Sequence, residues 1–288
     1  MPIGRLVVIG VGLIGGSAAL ALRNADCVRH VTGLGRSREN LDVALRLGIL
    51  DAATDDYAVA LADADIVFVA TPVAQMPAVF ARIAAHLQPQ TIVTDGGSTK
   101  QDVIATARSA LGEKFGQFVP GHPIAGTEHT GAAAAFPELF RNRNVVLTPV
   151  AETPASAVAR VAQMWEATGA KVATMDAARH DRIFAAVSHL PHLLAFALVE
   201  ELAMRPDADE YFGFAAGGFR DFTRIASSSP EMWRDIAVAN RDALLAELRG
   251  YRSQLERIER LLDASDAEGL SALFTTARAA RNDWLARQ

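Results

Sequence analysis

The chain of 288 residues holds one cysteine, Cys27. That excludes an internal disulfide and any metal site built from several thiolates, and it fits a reducing, cytoplasmic setting. Strong charge of either sign is also missing. The formal net charge is −5, which gives no electrostatic reason to expect nucleic acid or an anionic membrane as a partner. One uncharged, mostly apolar stretch, residues 6–22, superficially resembles a signal or a membrane span. It falls just short of spanning length and is cut by Gly10, Gly12, Gly15 and Gly16, a spacing that reads as strand, turn and helix. Internal repeats and low-complexity linkers are absent. Metal-ligand spacing is limited to His189 and His192 on one helix face, where Pro191 disturbs the presenting helix, so no metal is expected.

Half of the residues are hydrophobic and 21% are charged, a composition for a globular chain with room for one large or two ordinary domains. Short β-rich runs fall at residues 6–9, 28–34, 66–70, 92–94, 118–120, 145–147 and 171–174. Helical patterns rich in alanine and leucine separate them, at 13–24, 37–47, 73–86, 100–111 and 154–168. Strands alternating with helices predict right-handed crossovers and an α/β, Rossmann-type, doubly wound and mostly parallel sheet. Beyond residue 174 only helical patterns follow, at 177–204, 209–226, 230–262 and 266–287, punctuated by Gly217-Gly218 and Ser227-Ser228-Ser229-Pro230. The expected division is therefore a dinucleotide-binding domain over 1–174 and an all-helical domain over 175–288. In the latter, Leu244, Leu248, Tyr251, Leu255, Ile258 and Leu262 form one apolar stripe. It reads either as helix packing within the domain or as an interface between subunits.

Gly10-x-Gly12-x-x-Gly15 follows the first strand and opens the first helix. In that context the first glycine permits the tight turn, the second lets the backbone approach a pyrophosphate, and the third lets helix pack on strand. The N–H groups at the helix start, from Leu13, Ile14 and Gly15, then meet the phosphates. Thr71, just past the strand expected at 66–70, and Ser98 complete the expected cofactor contacts. An NAD site usually places an acid at the end of the second strand. Here that position reads Gly35-Arg36-Ser37-Arg38, with Asp26 too early and Glu39 in the next helix. Arginine beside a small hydroxyl residue suits a 2′-phosphate, so NADP is expected ahead of NAD; the plainer reading makes Arg36 and Arg38 solvated surface charge.

Four further segments hold polar groups in apolar surroundings: residues 95–100 (Asp-Gly-Gly-Ser-Thr-Lys), residues 121–128 around His122, residues 188–192 with His189 and His192, and residues 217–226 with Asp221 and Arg224. In this order they resemble the prephenate/arogenate dehydrogenase family of tyrosine biosynthesis, over nearly the whole chain to residues 232–236. The resemblance implies a helical C-terminal dimerisation domain, hence a homodimer, and oxidative decarboxylation of prephenate or arogenate. It makes His122 the catalytic histidine at the substrate's ring hydroxyl and Ser98 the serine that assists there. It places His192 and Arg224 on the substrate, and Glu128 and Asp221 in an acidic network that gates or orders the site. His189, one helical step from His192, is expected on the same pocket.

The chemistry suits these residue types. Loss of hydride from the hydroxyl-bearing carbon and of carbon dioxide from the opposite one yields a phenol, so aromatisation drives the reaction. The protein then has to orient the ring and accept one proton. Neutral histidine, with an ordinary pKa of about 6.5, suits that base role, and the planar fork of arginine suits a carboxylate. Each residue also has a plainer reading. His122 can be a strand-end histidine satisfied by backbone, Ser98 the cap of a helix starting near Thr99, His192 a core histidine, and Arg224 with Asp221 a structural ion pair. Two other functions stay open: an NADP dehydrogenase of the β-hydroxyacid type, although the helical half lacks the lysine such enzymes use, and a non-catalytic NADP-binding redox sensor.

Overall fold

A computed structural model describes residues 2–287. The chain forms two compact units, one closing at Arg241 and the other opening at Asp242. The first begins β1 (Ile3–Ile9), α1 (Leu13–Asn24), β2 (Val28–Leu34), α2 (Arg38–Arg46), β3 (Ala52–Thr54), α3 (Tyr57–Leu61), β4 (Ile66–Val69), α4 (Met76–His86), β5 (Ile92–Asp95), α5 (Gln101–Leu111) and β6 (Phe118–Val119). These strands make one sheet in the order β3-β2-β1-β4-β5-β6, every pair parallel. The order reverses direction at β1, which is where an open sheet of this kind offers a crevice at the strands' carboxyl ends.

β1 shows why the sheet is covered on both faces. Leu6 and Val8 are buried in one apolar layer with residues of α1 and, from further along the chain, α6 (Ala155–Ala167), whereas Val7 and Ile9 are buried in another with α4 and α5. A parallel strand enclosed on both sides reads as a continuous apolar run, as Leu6-Val-Val-Ile does.

A second, smaller sheet holds β7 (Gly121–Pro123), β8 (Asn144–Leu147) and β9 (Lys171–Thr174), with β7 antiparallel to β8 and β8 parallel to β9. The strand signals at 145–147 and 171–174 therefore leave the main sheet. β3, α3 and β7 carry too few residues to show a period and are additions to the expected pattern.

The same unit continues with α7 (Ala177–Phe184), α8 (Leu190–Ala203), α9 (Ala208–Gly213), α10 (Gly217–Thr223) and α11 (Pro230–Ala239). The helix expected over 177–204 is interrupted by a π turn, Ala185–His189. Pro191 comes two residues later; it has no N–H to give the carbonyl four residues back, and the widened turn takes up that mismatch. The helix expected over 230–262 stops at Asn240, whose backbone leaves helical geometry and whose buried side chain is spent on tertiary bonds. α12 (Arg241–Asp263), from its second residue on, and α13 (Ala267–Leu285) lie in the second unit, with Asp266 capping α13 through the N–H of Gly269.

Candidate active site

The glycine turn between β1 and α1 has the shape of an anion cradle. Gly10 sits at φ +93°, and a Cβ there would stand 2.7 Å from the carbonyl oxygen of Ala70; a Cβ on Gly15 would stand 2.3 Å from the oxygen of Gly10. Both positions exclude any side chain. A Cβ on Gly12 would meet nothing within 4 Å, so the turn opens to one side at that residue. α1 has no side-chain cap and no acid in its first turn. Its first backbone bond runs from Gly16 N to Gly12 O, which leaves the N–H groups of Leu13, Ile14 and Gly15 at the positive end of the helix. Asn40 steadies the turn, donating to the Val11 carbonyl at 2.6 Å while its own oxygen accepts the N–H of Ala132 at 2.9 Å. Thr71 lies beside Gly10, and its buried hydroxyl has no partner among the described residues.

At the end of β2 the expected loop is exposed. Ser37 caps α2 through the N–H of Asn40 at 3.1 Å. Arg38 pairs with Asp42 at 3.0 Å, whereas Arg36 has no ion pair among the described residues. Glu39 lies in the first turn of α2. A Cβ on Gly35 would make ordinary contact with Leu41, at 3.4 Å.

On the same rim, β5 ends in a buried ion pair. Asp95 and Lys100, both fully buried, bond directly. Asp95 also accepts the N–H of Gly97 at 2.8 Å and of Gly121 at 3.0 Å, and Lys100 donates to the Gly121 carbonyl at 2.7 Å. Five residues of loop are thereby tied to the strand that carries His122. His122 stands in the middle of that short strand rather than just past a strand end. Its Nδ1 is 2.8 Å from Nε2 of His180, and Nδ1 of His180 is 2.8 Å from the Asp181 carboxylate. That carboxylate also accepts the N–H groups of Lys100 at 2.8 Å and Gln101 at 2.9 Å, capping α5. Ser98, half-buried in the loop between β5 and α5, therefore does not cap the helix; Asp181 does, from 80 residues away.

The helical side brings up the other groups. His189 in the π turn is enclosed, at 2% exposed, and its Nδ1 faces the amide of Asn240 at 3.1 Å; that amide also donates to the Asp181 carbonyl at 2.8 Å. His192 bonds through Nδ1 to the carbonyl of Ser188 at 2.9 Å and stacks on Trp233, ring centroids 3.5 Å apart. Arg224 reaches Glu128 at 3.4 Å. Its expected structural partner Asp221 is exposed and makes no ion pair with it among the described residues. The i, i+3 spacing suggested the wrong acid: the guanidinium reaches Glu128, from 96 residues away.

Burial shapes the titration of the cluster. Desolvation first, then repulsion from a proton on His180 and from Lys100, holds the His122 pKa well below the ordinary imidazole value. Burial also lowers His180, against the pull of Asp181, and takes His189 down to about 4. Burial lowers His192 as well, against its bond to Ser188. Burial works against ionisation of Asp181, but the bonds from His180, Gln101 and Lys100 outweigh it and keep its pKa low. The four imidazoles are therefore neutral at physiological pH beside an ionised carboxylate.

Sequence reasoning missed His180, Asp181 and Asn240. A trace of the first two was present: His180, Phe184, His189 and His192 recur on one apolar helix at steps of four, five and three, and the step of five is the π turn.

Residues 18–174 match the family model described as prephenate dehydrogenase, nucleotide-binding domain, and residues 176–276 the one described as prephenate dehydrogenase, dimerization domain. The chain is 38% identical over 280 residues to the cyclohexadienyl dehydrogenase of Zymomonas mobilis, an alignment covering 96% of this chain and 94% of that protein. It is 37% identical over 285 residues to the prephenate dehydrogenase of Bacillus subtilis, covering 98% and 76%. The crystal structure of prephenate dehydrogenase from A. aeolicus in complex with hydroxyphenyl propionate and NAD+ is similar at a TM-score of 0.92, with 33% identity and 98% and 99% of the two chains covered.

Proposed function

The chain belongs to the prephenate dehydrogenase family, and from that premise we propose that it catalyses the nicotinamide-dependent oxidative decarboxylation of prephenate, arogenate or both. The observation that carries the reading is His122: a neutral imidazole on a strand locked by Gly121 to the carboxyl end of β5, on the rim that bears the glycine cradle. Reduction of NADP and NAD, followed with each of the two substrates, tests it, and the ratio of kcat/KM between prephenate and arogenate fixes the substrate. A redox sensor would bind the cofactor and turn over neither.

The cradle fits a dinucleotide. Gly10, Gly12 and Gly15 leave room for a pyrophosphate, the N–H groups of Leu13, Ile14 and Gly15 would hold it, and Thr71 and Ser98 would line its approach. When bound, the nicotinamide supplies the hydride acceptor. His122 takes the proton of the ring hydroxyl, with Ser98 as a second hydrogen-bonding group there. Being neutral, His122 is available as a base without first losing a proton. Arg224 holds a substrate carboxylate and His192 meets the side chain of the ring. Glu128, already on Arg224, orders that guanidinium, with His189 and Asp221 in supporting positions around the pocket.

Arg224→Ala should lower kcat/KM for substrate roughly 10–100-fold, the effect of one charge-assisted bond, and leave cofactor KM unchanged. The Glu128 pair is exposed and contributes little to the fold, so thermal stability should hold. A fall in stability without a substrate-specific kinetic loss would make Arg224 structural.

For the cofactor we propose NADP over NAD. Arg36 is unpaired among the described residues and exposed, and Ser37 retains a hydroxyl proton while capping α2, so both can meet a 2′-phosphate. Gly35→Asp with Arg36→Ala should reverse the preference, by roughly 10–100-fold in the ratio of kcat/KM values, since an aspartate fits against Leu41 and restores an acceptor for a ribose hydroxyl. Wild type preferring NAD would make Arg36 plain surface charge.

A homodimer through the helical part completes the proposal, supported by the dimerization-domain match. Residues Ala177–Ala203 are long and apolar enough to cross a membrane by length and composition. One face of that stretch, however, is committed to His180, Asp181 and His189. Leu198, Phe214 and Phe222 nearby, and Tyr251, Leu255 and Leu262 on the α12 stripe, are exposed and suit a second copy of the chain. Mass in solution, twice that of the chain, is the check.

A further inference from the structure

We propose that His180 and Asp181 are positioning residues that set which nitrogen of His122 is basic. The inference rests on the role of His122 given above and follows from the direction of three hydrogen bonds. Asp181 is held rigidly, its carboxylate taking two backbone N–H groups of α5 and its carbonyl taking the Asn240 amide. Against an ionised carboxylate, Nδ1 of His180 must carry the proton. A neutral His180 then presents a lone pair at Nε2, so Nδ1 of His122 must donate to it. The proton of neutral His122 is thereby fixed on Nδ1, and Nε2 is left as the only basic atom of the ring. Phe184 packs edge-on to His122, centroids 5.0 Å apart, and lies 4.5 Å from His180, closing the chain against water. In the reaction Nε2 gains the hydroxyl proton and the His122 ring becomes cationic. That charge faces Lys100, which disfavours it, and is offset through His180 by Asp181, with Asp95 neutralising Lys100.

A structural alternative exists, because Asp181 caps α5 and His180 is fully buried. Two measurements separate the readings. The first needs no substrate: in protein with ¹⁵N-labelled histidine at neutral pH, His122 and His180 should both show the Nδ1–H pattern, the less common tautomer of free imidazole, and single substitutions assign the signals. An Nε2–H tautomer at His122 overturns the proposal, whatever the enzyme turns out to act on. The second is kinetic. His180→Phe keeps a buried ring but removes the acceptor, and should cut kcat about 10–100-fold with substrate KM within about threefold. His180→Gln offers an acceptor without selecting the tautomer, and should recover part of that kcat although Gln is the poorer buried residue. In Asp181→Asn, loss of the anion should move the acid limb of the kcat profile to lower pH. Activity that simply tracks thermal stability across the three variants, with the acid limb unmoved, means that the pair only holds the fold. Wild type inactive on both cyclohexadienyl substrates, with the Nδ1–H pattern intact, would instead remove the functional reading and leave the tautomer assignment standing.

Discussion

His122→Asn is expected to lower turnover by about 10²–10⁴-fold, the usual contribution of a positioned general base, while cofactor affinity stays within about twofold. The substitution is close to a deletion of one atom's function. An asparagine amide can occupy the place of Nδ1 and still donate to Nε2 of His180, so the neighbouring ring keeps its partner. What disappears is the basic Nε2. The cradle around Gly10, Gly12 and Gly15 belongs to β1 and α1 and does not touch His122, which is why cofactor binding should be spared. Stopped-flow or steady-state reduction of the cofactor, with binding followed separately by its fluorescence, measures both. Turnover above half of wild type would remove His122 from the base role.

The second large effect concerns the fold beneath the site. Lys100→Met keeps the length and much of the volume of the side chain but strips Asp95 of its counter-ion at a position with no access to water. Losing one partner of a buried pair typically costs about 3–5 kcal/mol, because the remaining charge is left uncompensated; two backbone N–H groups on Asp95 soften but do not cancel that. Thermal unfolding should shift down by roughly 5–15 °C. The Gly121 carbonyl also loses its donor, so β7 should loosen and kcat fall with stability. Adding Asp95→Asn to Lys100→Met removes the stranded charge and should recover part of the loss, a coupling that a double-mutant cycle reads directly. Wild-type stability in the single variant would show that Asp95 is neutral or hydrated in the protein.

Where a signal was local, the sequence carried it. The glycine turn announced itself by spacing and the central strands by unbroken apolar runs, whereas Ser37, read only as a phosphate contact, also caps α2. His122 was legible because it stood between glycines in an ordered set of motifs, and those motifs also led to the family. The supporting chemistry was not legible, because it is made across long separations. His122 and His180 are 58 residues apart, Asp181 and Gln101 80, and Arg224 and Glu128 96. No periodicity links such pairs. Where local spacing did offer a partner, as Asp221 for Arg224 or Ser98 for the start of α5, tertiary structure chose another. The π turn was hidden for a related reason: an insertion of one residue into a helix does not disturb composition, only the phase of His189 relative to His180.

The central claim is a single coupled reaction at His122, and product stoichiometry tests it most directly. Purified enzyme is supplied with prephenate and, in parallel, arogenate, with limiting NADP. Reduced cofactor, carbon dioxide and phenolic product are then measured in the same vessel. The expected result is one of each per turnover with at least one of the two substrates, and loss of all three together in His122→Asn. Cofactor reduced without release of carbon dioxide, or no reduction with either substrate while the cofactor still binds, would contradict it.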